Sequence, residues 1–168
     1  MILNLPLHPI LVHFPIALLL AGLGVDLGSL LLKSEWLGRT ALLLLILGSL
    51  GAAAAVWSGS VQEGLILRTP AIDRTLDTHE ESGEITMWLF LGLSAARAGL
   101  TWRRRLTPWA RWILFVLWIG GAGLLVRTAY YGGRMVYEHG AGVVAPARAA
   151  LSQPATDPGP ETTPPDPD

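Results

Sequence analysis

The sequence predicts an all-α membrane protein: a four-transmembrane-helix bundle followed by a disordered C-terminal tail. Three observations carry this. Hydrophobic residues make up 51% of the 168-residue chain and charged residues only 15%, with a mean hydropathy of +0.46, too apolar for an ordinary soluble domain. The apolar residues gather into runs near the ~20 residues that cross a hydrocarbon layer as a helix. The basic residues collect at the loops of one side, as they do in multi-pass membrane proteins.

The first run, from Pro9 to about Leu32, contains no Lys or Arg and has the length of a span. No basic residue precedes it, so a span is expected here and not a secretory signal. Pro9 suits the first turn of a helix, whereas Pro15 lies inside, where it should kink the helix and free a carbonyl near Leu11. The second span runs from about Arg39 to Ser58, and its Gly48, Ser49, Gly51 and Ala52 to Ala55 allow close helix contact in lipid. The third is weaker. Its apolar run, Glu84 to Leu100, is short, so the helix is expected to begin near Thr78 and to carry His79, Glu80 and Glu81 at one interface. The fourth starts near Pro108 and continues into the amphipathic stretch RTAYYGGRMVYEHG, with Trp102, Trp109, Trp112, Tyr130 and Tyr131 as interfacial belts.

An even number of spans puts both termini on one side. Lys33, Arg39, Arg97, Arg103, Arg104, Arg105 and Arg111 fall on the other, with Glu35 as its only loop acid. By the positive-inside rule that side is cytoplasmic. The side of the termini holds Arg68, Arg74, Arg127 and Arg134 against seven acids, Glu138 among them. The expectation is a bacterial inner-membrane protein with both termini periplasmic or extracellular. The span domain covers residues 1–144; after it, seven of the twelve prolines and four acids lie in 146–168, a composition that cannot bury enough to order itself.

The absence of cysteine excludes disulfides, thiolate metal sites, haem attached through Cys and cysteine-ligated iron–sulfur clusters. A net charge of -1 argues against nucleic acid. Four histidines, His8, His13, His79 and His139, all fall at the outer ends of the spans. On a regular helix five residues turn the chain by about 140°, so His8 and His13 do not share a face. Pairing is therefore expected between helices, which favours a bridging cofactor. A b-type haem needs two imidazoles on facing helices and an apolar slot. His13 with His79 could also hold zinc or copper, helped by Glu80, Glu81 or Glu138. A quinol site using a His and a carboxylate is a third option. Against these stands a plain structural reading, in which His8 caps the first helix and His13 and His79 bond backbone carbonyls freed by Pro15 or at helix ends.

Asp26 is costly inside a span and needs a partner. It follows His8 by eighteen residues, as Arg97 follows His79, so an Asp26–Arg97 ion pair near the cytoplasmic side is expected. Between them, AGLG on the first span and MWLFLGL on the third offer no polar route, which weakens a pump or channel. No phosphate loop, serine triad or HExxH motif occurs, and independent enzyme activity is not expected.

HPILVHFPIAL in the first span, His79 opening the third, and YYGGRMVYEHGAGV closing the fourth together resemble the bacterial membrane family called domain of unknown function 2231. The likeness covers about residues 5–144, and its matching positions include His8, Pro9, His13, Pro15, His79, Gly132, Gly133, Tyr137, His139 and Gly140. It implies a four-helix membrane domain with no established activity. It also implies an electron-transfer setting, through the Rieske-type or cytochrome-like partners of relatives. The leading expectation is a haem-b-binding or quinone-linked electron-transfer module, the alternative a cofactor-free structural or assembly subunit of a membrane complex.

Overall fold

A computed structural model describes residues 7–65 and 69–140. The expected boundary at 144 and the Pro-rich segment after it lie outside the described residues. The described chain is helical: α1 Leu7–Leu11, α2 His13–Leu31, α3 Glu35–Gln62 with a 3-10 turn at Glu63–Leu65, α4 Pro70–Trp102 and α5 Pro108–Tyr137. Three segments, Leu7–Leu31, Glu35–Val61 and Pro108–Tyr137, are long and apolar enough to cross a membrane. At 33 residues, α4 has the length but not the composition.

The helix is interrupted where the sequence expects Pro15 to act, although Val12 keeps helical dihedrals, φ -63° and ψ -26°. The interruption falls at Val12, between α1 and α2, because Pro15 has no N–H for the Leu11 carbonyl. The other helices begin and end outside their apolar runs, since capping chemistry sets their boundaries. Ser34, Thr69 and Thr107 each accept a bond from the backbone N–H three residues on, and Pro70 and Pro108 follow the two threonines. This is why α4 starts eight residues before Thr78. The two turns leaving α2 and α4 place Lys33 and Arg104 at positive φ, 51° and 53°, setting a cation near each helix C-terminus, where the dipole favours it.

The long helices pack side by side, α2 on α3, α3 on α4 and α4 on α5, with a narrower contact between α2 and α5. Leu19, Leu45, Phe90 and Trp118 are fully enclosed between them. Around this small core the distribution is inverted relative to a soluble domain: Phe14, Trp36, Leu50, Trp88, Trp109 and Val116 are exposed, while Asp26, Ser29, Ser49, Ser82, Thr86, Ser94 and Arg97 are buried. Lipid covers the apolar outside, and polar groups find partners only within.

Helix approach depends on glycine at few places. A Cβ at Gly48 would sit 2.7 Å from Leu19 side-chain atoms, whereas one at Gly24 would meet nothing. Gly48→Ala should therefore lower the stability of the detergent-solubilised protein by about 1–3 kcal/mol in an SDS-unfolding titration. Gly24→Ala should leave it unchanged or raise it by up to about 1 kcal/mol through helix propensity.

Candidate functional site

Pairs of polar residues on α1–α2 and on α4 meet at two heights. At the outer end, His8 on α1 is half-buried and its Nδ1 N–H donates to the Ala55 carbonyl at 2.9 Å, with Ser58 Oγ at 3.1 Å. His79 on α4, also half-buried, donates from Nδ1 to the Thr128 carbonyl at 2.9 Å. The two rings meet edge to face, with centroids 6.2 Å apart and planes at 87°. Each ring rests on a glycine: a Cβ at Gly59 would come within 3.2 Å of His8, and one at Gly132 within 3.0 Å of His79. Glycine thus lets α3 and α5 approach the imidazoles closely enough to seat them.

The other two histidines do not join. His13 is exposed and lies 2.6 Å from the Pro9 carbonyl through its own Nδ1. The rotation of about 140° between positions 8 and 13 turns it away. His139 Nε2 lies 3.3 Å from Thr75 Oγ1, beyond the end of α5. The expected His13–His79 metal pair is therefore replaced by His8 against His79, and the four histidines do not form one cluster. Among the described residues no group of three or more His, Asp or Glu side chains could hold a metal ion, so the zinc or copper site with Glu80, Glu81 or Glu138 does not assemble. Glu138 instead pairs with Arg134 at 2.7 Å, which holds its carboxyl below the ordinary glutamate range by hydrogen bonding and charge.

At the inner end Arg97 Nη2 lies 2.5 Å from Asp26 Oδ1, with the two residues 4% and 2% exposed. Ser29 Oγ donates to the same carboxylate at 3.2 Å, Arg111 Nη2 donates to Ser29 Oγ at 2.8 Å, and Arg97 also reaches the Gly38 carbonyl at 3.4 Å. The Arg97 guanidinium lies over the Trp118 ring at 5.7 Å. Every long helix contributes to this site.

Between the two ends lie hydroxyls that the reading of the first and third spans missed. Thr86 Oγ1 is 3.3 Å from Thr128 Oγ1 and donates to the Ser82 carbonyl at 2.7 Å. Ser49 Oγ is within 2.7 Å of Ser94 Oγ and within 3.0 Å of the Phe90 carbonyl. Among the described residues, two buried polar atoms, Ser82 Oγ and Trp118 Nε1, have no hydrogen-bond partner; internal water commonly serves such groups. These hydroxyls flank the apolar stretches AGLG and MWLFLGL without bridging them. Polar groups occupy most of the interior height, because α3 and α5 supply what α2 lacks, and enclosed Phe90 separates the Thr86 level from the Ser94 level. The sequence signal was present on α4 itself, where His79, Ser82, Thr86, Phe90, Ser94 and Arg97 recur at helical spacing.

A family model described as predicted membrane protein, DUF2231, matches residues 4–145, so the chain belongs to that family. No curated protein matches it, and no solved structure does.

Removing one member of the inner pair strands a buried charge. Arg97→Met or Asp26→Asn should each cost about 3–5 kcal/mol in SDS unfolding. The double variant Asp26→Leu with Arg97→Met should recover most of that loss; an additive loss would show that the two residues act independently.

Proposed function

We propose that this DUF2231 member spans the bilayer with all four long helices and works there as an electron-transfer module, holding a b-type haem between His8 and His79. The observation that carries the reading is the meeting of these two imidazoles from different helices, each with Nδ1 committed to a backbone carbonyl. That bond fixes the tautomer and the ring plane, as carbonyls do behind metal-ligating histidines, and puts the lone pair of the neutral ring on Nε2. Two imidazoles are the donors that a b-type haem takes, and the glycine seats at 59 and 132 hold the rings in place without a bulkier neighbour. Haem iron would supply one-electron chemistry at this height. The chain's own part is to orient the two nitrogens and exclude water with the apolar core below them.

The α4 crossing rests on its inward polar face. His79, Ser82, Thr86, Ser94 and Arg97 lower its mean hydropathy, yet all but the half-buried His79 are buried, while Ile85 and Trp88 are exposed. A helix of this length, roughly 50 Å, exceeds the ~30 Å hydrocarbon layer. With four crossings the basic turns at Lys33 and Arg103 to Arg105 face the cytoplasm of a bacterial cell, and the haem lies in the outer half of its inner membrane. Quinone or a Rieske-type or cytochrome partner would exchange electrons with it there.

Protein purified from haem-supplied cells should show a Soret band and a dithionite-reduced α-band. Both should disappear in His8→Ala and in His79→Ala and persist in His13→Ala. Colourless, iron-free wild-type protein would sink the haem reading and leave the cofactor-free assembly subunit, for which the histidine variants change stability or partner recovery and no spectrum. The orientation has its own test: a cysteine at position 104 should resist an impermeant label added to intact cells, and one at position 64 should react with it.

A further inference from the structure

We propose that the outer ends of α4 and α5 form a binding cleft for a phosphate-bearing anion, independent of any cofactor at His8 and His79. Arg74, Thr75 and Thr78 of α4 and Tyr131 and Arg134 of α5, with His139 beyond it, line an open cleft of about 290 Å³. That volume lies at the lower end for ligand sites, the size for a headgroup and its ester. The lining holds two guanidiniums, an imidazole, a phenol and two hydroxyls but no carboxylate, although the outer part of α4 also carries Asp73, Asp77, Glu80, Glu81 and Glu84. Arg134 spends its Nε and Nη2 on Glu138, at 2.8 and 2.7 Å, and keeps its Nη1 donors. Arg74 donates its Nε to the Pro70 carbonyl at 3.2 Å and makes no ion pair among the described residues. Of the two permanent cations in the lining, Glu138 engages one and the other pairs with no acid among the described residues, so an anion in the cleft has a guanidinium to meet.

Guanidinium forks match phosphate oxygens in geometry and charge, and the neighbouring hydroxyls and phenol can donate to the remaining oxygens. The cleft lies at the level of Tyr130 and Tyr131, residues of the kind that sit at headgroup height. The phosphate could thus come from an anionic lipid of the outer leaflet or from solution.

The test uses the full chain in neutral detergent, with binding read by native mass spectrometry and thermal shift. The probes are phosphatidylglycerol, inorganic phosphate and, as a zwitterionic control, phosphatidylcholine. Phosphatidylglycerol retained over phosphatidylcholine assigns the site to lipid; binding of inorganic phosphate that displaces it assigns it to a soluble source. Both outcomes support the cleft. Arg74→Ala should weaken binding about tenfold or more, with helical content unchanged because the residue is exposed. Glu138→Gln, which releases Arg134, should tighten it several-fold. Failure of both anions to bind would overturn the proposal, and so would binding that is indifferent to both substitutions.

Discussion

An ionised carboxylate enclosed between apolar helices requires a cation at its oxygen, and the Asp26–Arg97 contact is the constraint on which the rest of the arrangement depends. A buried pair of this kind adds little stability over well-packed apolar residues. What it provides is register. α2 and α4 are neighbours of α3 but make little direct contact with each other, so sliding one against the other meets little resistance from packing. With Asp26 bound to Arg97, any slip of a helical turn separates the charges inside a low-dielectric interior. Ser29, Gly38 and Arg111 extend the same restriction to α3 and α5.

The register then reaches the other end of the bundle. His8 precedes Asp26, and His79 precedes Arg97, by the same eighteen residues, about five helical turns or roughly 27 Å. Whole turns preserve the face, so fixing one contact brings the two imidazoles to the same height on facing sides. The break at Val12 does not defeat this, because His8 is held separately by the Ala55 carbonyl on α3. Between the two levels, serine and threonine hydroxyls bond back to carbonyls of their own helices, Ser49 to Leu45, Thr86 to Ser82 and Thr128 to Leu124, which satisfies them without interrupting the bundle. Phe90 fills the space left beside Gly121, where a Cβ would come within 2.8 Å of its ring.

The long helices, the interruption ahead of Pro15 and the Asp26–Arg97 pairing were legible in the sequence, because each follows from run length, rise per residue or a missing N–H. Helix ends were less so: Thr69 and Thr107 act through capping bonds that lie outside the apolar runs. Among the histidines, the sequence showed that positions 8 and 13 diverge but not which of them turns inward, since that depends on Ala55 and Gly59 of α3, some fifty residues away. The interior hydroxyls were missed by following only the apolar stretches of two spans. The partners of Ser94 and Thr86 are Ser49 and Thr128, on helices that were read only for length and small residues.

The two ends of the bundle differ in what holds them together. Opposite charges attract, so the inner pair accounts for its own association. The outer pair consists of two like bases. Each has a carbonyl for its Nδ1 proton and a glycine of a neighbouring helix against its ring. An edge contact between neutral imidazoles contributes little, and protonating both would set two cations about 6.2 Å apart. Backbone bonds and helix packing therefore place the rings, and an electrophile addressed by both nitrogens would add to them. On the proposed haem reading, an acceptor shared by the two nitrogens would play at the outer end the part that opposite charge plays at the inner one.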